Sequence, residues 1–507
     1  MTHEIKLPKY EVVFYFIVWT SGVLYSLYHL YLAGSYFDYV EDRHGDFAPG
    51  WSWIERKQDI SDDEWIIWIP LLKRLIPWLT AHLLIAQLMK YYKFNSTVIC
   101  SWYIFITSMF LYNYFGVNGM IIMFIQPSLS CLLISIGSIP FAYYILLGCI
   151  IFAQVTSAFT TLLRDWANFD DKQYYMMTVS IFWVQLRCIC CTVDEINNYK
   201  HQNIQGFLKN LIRITAYYFY LPTLLLGPFF LYSNFIKGVN EPFNNWTLKR
   251  SLIFIKNMSK YVFWIFFTEL SLHFIYCNAF RYHPKVVSIL NGWAFHGLGY
   301  SMGQYFCNKY IIVYGISGEI SRADNIDAPP PPKCIGRIHL YSDMWKHFDR
   351  GLYQFLVRYI YGPIVRLNIP LSRIVASFLS FSFIYVWHGL HQFVLMWSSM
   401  NFLGIVIENV GTYISNTSQY VYCREKILSE KNIRRFNCLV AAPLLAMSAV
   451  SNFYFFGGMK IGNLFIYRLF YDSWTTIITR ILILYCCCQV STEMKRFEIH
   501  KSKKISF

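Results

Sequence analysis

Long apolar runs recur along almost the whole chain, and they decide first what it can fold into. Crossing about 30 Å of hydrocarbon takes roughly 20 mostly apolar residues in a helix. Residues 10–34, 98–115, 120–153, 211–235, 261–280, 374–400, 438–456 and 473–490 provide such runs. Charged residues make up only 14% of the chain, against roughly a quarter in soluble domains. Lipid offers no partner for an open N–H or C=O, so runs of this kind fold as helices that satisfy their own backbone. The expected fold is an all-α polytopic membrane protein, with about ten to twelve transmembrane or re-entrant helices. The first apolar run is too long for the core of a cleavable signal peptide and reads as a signal anchor.

The 44 Lys and Arg residues against 29 Asp and Glu leave a net charge of +15. In a soluble protein that excess would point to nucleic acid. Here the cations lie between apolar runs, which matches the positive-inside bias and contact with anionic headgroups of membrane lipid. Nucleic acid is therefore not an expected partner. Lys6 and Lys9 precede the first run, residues 38–64 after it are rich in acids, and the tail around Lys495, Arg496, Lys501, Lys503 and Lys504 is basic. Both termini are expected in the cytosol. Lys503-Lys504 lies one residue further from the end than a dilysine retrieval signal would. It gives slight support to the endoplasmic reticulum membrane, with the Golgi as the alternative.

The fourteen cysteines fall mostly inside apolar runs, as in Cys188-Ile189-Cys190-Cys191 and Cys486-Cys487-Cys488. They lack the spacing of a disulfide framework or a tetrahedral zinc site and read as small buried hydrophobes. The sequons at Asn95, Asn245, Asn257 and Asn416 are short patterns that chance supplies often. No polar stretch is longer than a loop, so residues 1–507 form a single domain. Ala328-Pro329-Pro330-Pro331-Pro332-Lys333 cannot continue a helix and reads as a stiff extended spacer.

Polar residues inside apolar surroundings cluster after that spacer, and residues 290–460 are the expected catalytic region. Residues 352–361, with Gln354 and Arg358 among apolar neighbours, read as an interfacial helix ended by Gly362-Pro363. Next comes an apolar helix from Ile374 with Trp387-His388-Gly389-Leu390-His391 inside it. An ionisable residue at membrane depth is costly and usually faces a cavity. His388 also has the near-neutral titration that suits a general base. The plain alternative is a histidine that hydrogen-bonds across helices, which is the reading for His82, His273 and His296. Asp349 likewise reads either as a site carboxylate or as an interfacial charge beside Lys346 and Arg350. Trp345, Trp387 and Trp397 read first as packing or lipid contacts. Enzyme and transporter both remain open at this level.

Four blocks resemble membrane-bound O-acyltransferases, and within them the Hedgehog acyltransferases. They are Tyr217-Tyr218-Phe219-Tyr220-Leu221-Pro222-Thr223-Leu224-Leu225-Leu226-Gly227-Pro228; Gly297-Leu298-Gly299-Tyr300 with Gln304-Tyr305-Phe306 and Lys309-Tyr310; Met344-Trp345-Lys346-His347-Phe348-Asp349-Arg350-Gly351-Leu352 with Arg358-Tyr359-Ile360-Tyr361; and Tyr385-Val386-Trp387-His388-Gly389 with Trp397, Asn401-Phe402 and Glu408-Asn409. The blocks occur in family order over about the C-terminal three-fifths. The segment 362–373 departs from the pattern, which leaves its substrate contacts undefined.

The resemblance implies helices around a central acyl-transfer chamber. It implies His388 as the catalytic histidine and Asp349 as the second residue needed for activity. Trp345 would gate the acyl chamber, with Trp387 and Asn452 further substrate-binding residues. Cys334 would ligate a haem b iron. The implied donor is palmitoyl-CoA and the implied acceptor the N-terminal cysteine of a secreted signal such as Hedgehog, or an EGF-like ligand. The competing readings are a Porcupine-type serine O-acyltransferase, against which the Asp349 block argues, and a non-enzymatic transporter.

Overall fold

The computed structural model describes residues 5–39, 45–198 and 204–505, and within these the side chains other than those of residues 157–160, 204–205, 337 and 502–505. The dilysine-like pair Lys503-Lys504 therefore lies outside the described side chains. The described chain is helical apart from loops, short 3-10 turns and one antiparallel pair, Phe47–Ala48 with Gln58–Asp59. Among the described residues, seven helices are long and apolar enough to cross a membrane: those in Lys9–Asp38, Asp63–Tyr91, Ser96–Ile136, Asp171–Asn197, Gln392–Ser415, Glu430–Tyr471 and Trp474–Lys501. Shorter or more polar helices, among them Ile139–Val155, Leu248–Ser271, Gly292–Ala323 and Ser372–His388, fill the spaces between them. The chain is an all-α, multi-pass membrane protein.

Helix starts follow from local chemistry. Pro8 sets φ for the first helix at the position where a missing N–H costs nothing. Asp62 accepts from Trp65 N at 2.7 Å, and Asp63 and Glu64 sit at the positive end of the helix it opens. Asp170 and Gln173 form a reciprocal capping box before Asp171–Asn197.

Helix ends differ from the apolar pattern at identifiable residues. Ser96–Ile136 is broken at Gly116 (φ +72°) and Glu430–Tyr471 at Gly458 (φ +73°). Both are left-handed positions that suit glycine. The run 211–235 is not one helix: Ile204–Tyr218 stops, and residues 219–231 continue as a 3-10 turn and irregular chain around Pro222 and Pro228. The expected stop at Gly362-Pro363 is absent. Pro363 occupies the first turn of Gly362–Arg366, where its ring is tolerated, and helical backbone runs on from Arg350 through Arg366.

Buried polar clusters tie the bundle together. Asp324 accepts from Lys90 Nζ (3.1 Å), Tyr103 (2.6 Å) and Tyr220 (3.2 Å), with all four side chains buried. Lys309 is clamped between Asp62 (2.9 Å) and Glu64 (2.6 Å). Such groups are tolerated at depth because each charge keeps a partner. Ten of the fourteen cysteines are buried and all fourteen are unpaired, as their placement in apolar runs implied. The proline run is extended, and Arg322 fastens its start by donating to the Ala328 and Pro329 carbonyls.

Candidate active site

The helix Ser372–His388 ends on the histidine. Gly389 follows at φ +112°, and the next helix starts at Gln392. His388 is therefore the last residue of its helix, not an interior one as its apolar flanks imply. Glycine makes the break: a β-carbon at that φ would be strained. The imidazole sits edge-on to Trp387, Trp397 and Phe455, with ring centroids 4.8, 5.3 and 5.3 Å away. No described group hydrogen-bonds to its nitrogens. The ring is half-buried and lines a chamber of about 570 Å³.

Asp349 lines the same chamber. It caps the helix Arg350–Leu356, Oδ1 accepting from Leu352 N at 2.8 Å, while Oδ2 accepts from the Tyr314 hydroxyl at 2.8 Å. Gly351 allows the close start of that helix, since a β-carbon there would lie 2.0 Å from the Phe229 carbonyl oxygen. Neither Lys346 nor Arg350 pairs with the carboxylate, so Asp349 is not the interfacial ion pair its neighbours suggest. No hydrogen bond or ion pair joins Asp349 to His388 among the described residues. The two groups face one cavity from separate elements.

Tryptophans wall the space between them, and each is fixed by its indole nitrogen. Trp345 donates to Asn401 Oδ1 (3.2 Å), Trp387 to the Phe182 carbonyl (3.3 Å) and Trp397 to Asn452 Oδ1 (3.1 Å). The Asn452 amide nitrogen donates to the Ser448 carbonyl at 2.9 Å. Asn452 thus lines the chamber but spends its hydrogen bonds on holding Trp397 in place. What a ligand meets is ring faces, a surface suited to an alkyl chain.

Cys334 lies half-buried beside this chamber, its thiol 3.7 Å from Gln304 Oε1. Gln304 Nε2 is buried without a partner, and of the two neighbouring glycines that line the chamber, Gly303 is closed off by Ile335, whose Cδ1 would lie 2.8 Å from a β-carbon there. Among the described residues no group of three or more His, Cys, Asp or Glu side chains could hold a metal ion by itself.

A family model for the membrane-bound O-acyltransferase family matches residues 120–451, which include both His388 and Asp349. The chain belongs to the membrane-bound O-acyltransferase family. It is accordingly an acyltransferase. It is 26% identical to protein-cysteine N-palmitoyltransferase Rasp of Drosophila melanogaster, over 99% of this chain and 98% of that protein. It is 23% identical to protein-cysteine N-palmitoyltransferase HHAT of Mus musculus, over 96% and 98% respectively. A match to the Saccharomyces cerevisiae membrane-bound O-acyltransferase GUP2, 25% identical, covers 57% of this chain and 46% of that one. Family membership removes the transporter reading.

The structure brings His388, Asp349, Trp345, Trp387 and Asn452 to one chamber and sets Cys334 beside it. Sequence reasoning missed Tyr314, the hydroxyl on Asp349. Its signal was faint: Tyr310 and Tyr314 are one helical turn apart, a spacing that places them on one face. Asn401 was quoted in a motif without a task, and its task is to hold Trp345.

Proposed function

We propose that the chain is a protein-cysteine N-palmitoyltransferase of the endoplasmic reticulum membrane. It moves palmitate from palmitoyl-CoA to the N-terminal cysteine of a secreted signal such as Hedgehog, with EGF-like ligands a second acceptor class. The observation that carries this reading is that His388 and Asp349 line one chamber walled by fixed indole rings. The printed names of the two near-full-length relatives support the acceptor chemistry.

The amine nitrogen of the acceptor attacks the thioester carbonyl, forming the C–N bond as the C–S bond breaks. His388 takes the amine proton and returns it to the departing thiolate, leaving an amide and the CoA thiol. An α-amino group titrates near about 8, so the base has little to overcome. The carbonyls at the end of the Ser372–His388 helix stabilise the positive charge the imidazole acquires. Asp349 receives and orients the incoming α-amino group, whose ammonium form gives up one proton to solvent before the neutral amine attacks. Burying the acyl chain contributes roughly 0.8 kcal/mol per methylene. The chamber also excludes water that would hydrolyse the thioester, and it holds both substrates in reacting geometry.

Haem b belongs to the same proposal, with Cys334 as its ligand and Gly303, Gln304 and Gly336 beside it. Acyl transfer moves no electrons, so a haem there supplies a structural brace. The proposal is tested with purified protein, labelled palmitoyl-CoA and two acceptor peptides, one beginning with Cys and one offering an internal Ser. Hydroxylamine-resistant label on the Cys-first peptide is expected. Label as an ester on the Ser peptide alone would replace this reading with the Porcupine-type one.

A further inference from the structure

Two arginines are among the largest fully buried side chains, and they differ in how their charge is met. Arg434 has a carboxylate, Glu493, at 2.8 Å. Arg187, in the helix Asp171–Asn197, has none among the described residues. Its guanidinium donates instead to the carbonyls of Tyr217 (3.1 Å), Tyr218 (2.9 Å) and Thr223 (2.6 Å) and to the Thr223 hydroxyl (2.7 Å). A buried cation without a counter-ion is expensive at membrane depth, and only a full set of acceptors makes it tolerable. The acceptors it takes are those that a broken helix leaves open. Residues 219–231 are non-helical, and such backbone survives in a bilayer only where protein satisfies it.

That irregular segment touches both halves of the candidate site. A β-carbon at Gly227 (φ +73°) would lie 2.8 Å from the Tyr314 ring and 3.0 Å from Trp183. Tyr314 is the hydroxyl donor to Asp349. Trp183 packs edge-on to Trp387, the residue before His388, with centroids 5.6 Å apart. The Phe229 carbonyl is the wall against which Gly351 starts the helix that Asp349 caps. One guanidinium therefore holds the start of the turn against which Tyr314, Trp183 and residue 351 pack.

We propose that Arg187 is a positioning residue for the acyl transfer, acting on Asp349 through residues 217–230 and Tyr314. The inference rests on the reading of Asp349 and His388 as the site. Its length of reach is short: one segment and one tyrosine separate the guanidinium from the carboxylate. Methionine at 187 removes the buried charge and keeps most of the volume but leaves four acceptors open, so the accumulation of Arg187→Met is measured beside its kinetics.

The test is a double-mutant cycle of Arg187→Met with Asp349→Asn, reading kcat and KM for a Cys-first peptide on purified protein. Arg187→Met is expected to lower kcat at least tenfold with little change in the KM for palmitoyl-CoA. In the Asp349→Asn background the same substitution is expected to change kcat less than threefold, because the group it positions is already gone. Thr223→Val, which removes one acceptor only, should lower kcat in the same direction by a smaller factor, and it stands in if Arg187→Met does not accumulate. Wild-type kcat in Arg187→Met or Thr223→Val, or equal losses in both backgrounds, would overturn the inference. If Asp349→Asn itself turns over like the wild type, the site reading fails, and the two failures are thereby told apart.

Discussion

The Tyr314 hydroxyl donates to Asp349 Oδ2 across 2.8 Å, and that bond ties the long helix Gly292–Ala323 to the start of the helix Arg350–Leu356. It also fixes the direction of a carboxylate that meets no cation. In the proposed mechanism this carboxylate is the group that receives the acceptor's amine.

Tyr314→Phe deletes only the hydroxyl and leaves Asp349 Oδ2 without its donor. Leaving a buried partner unsatisfied costs about 1–3 kcal/mol. If that loss falls on the transition state, kcat/KM for a Cys-first peptide should drop by roughly 5- to 150-fold. The protein should still accumulate in membranes. Steady-state kinetics on purified protein check this.

Asp349 has two tasks that substitutions can separate. Asn keeps a cap for Leu352 N, whereas Ala loses it at about 1 kcal/mol. Both variants should transfer palmitate far more slowly but at a measurable residual rate, and only Asp349→Ala should unfold at a lower temperature than the wild type. Thermal melts in detergent beside transfer assays measure the two effects.

Much of this arrangement was visible in the residues. The apolar runs fixed an all-α membrane fold, and the His388 and Asp349 blocks were recognisable from their flanks. The breaks were not. Gly116, Gly389 and Gly458 stand in apolar surroundings where glycine is also ordinary, and only the backbone shows the positive φ that stops the helix. Pro363 was read as a stop because proline interrupts helices, yet it is tolerated in a first turn. Arg187 sits in an apolar stretch, with its nearest acids, Asp194 and Glu195, two helical turns on. Its acceptors lie thirty or more residues on and become acceptors only because a helix fails to form there.

Asn452 holds Trp397 through a 3.1 Å hydrogen bond, and Trp397 packs against His388. Asn452→Ala should lower kcat/KM for palmitoyl-CoA by about tenfold, the effect of one lost hydrogen bond of about 1.4 kcal/mol. It should also red-shift tryptophan fluorescence as an indole loosens. An unchanged spectrum with wild-type kinetics would remove this role.

Outside the spanning segments, burial pushes the Asp59 carboxyl up to about 6, against three backbone N–H donors that favour its ionised form. A carboxyl that titrates higher folded than unfolded stabilises the fold in its protonated form. That stability is full below about pH 4 and is lost as pH rises through about 6. Asp59→Asn should flatten the change in melting temperature across this window. A wild-type-like slope in the variant would assign the pH dependence to another group.

If Cys334 ligates haem, the purified protein carries a Soret band that Cys334→Ala abolishes. If that haem is a structural brace, palmitate transfer by the variant should fall in step with its melting temperature.

The most direct test of the central claim is palmitate incorporation by His388→Ala. Wild-type and variant protein, purified in equal amounts, are given labelled palmitoyl-CoA and a Hedgehog N-terminal peptide. The account predicts amide-linked palmitate from the wild type and none above background from His388→Ala, with similar yields of folded protein. Transfer by the variant at the wild-type rate would contradict it.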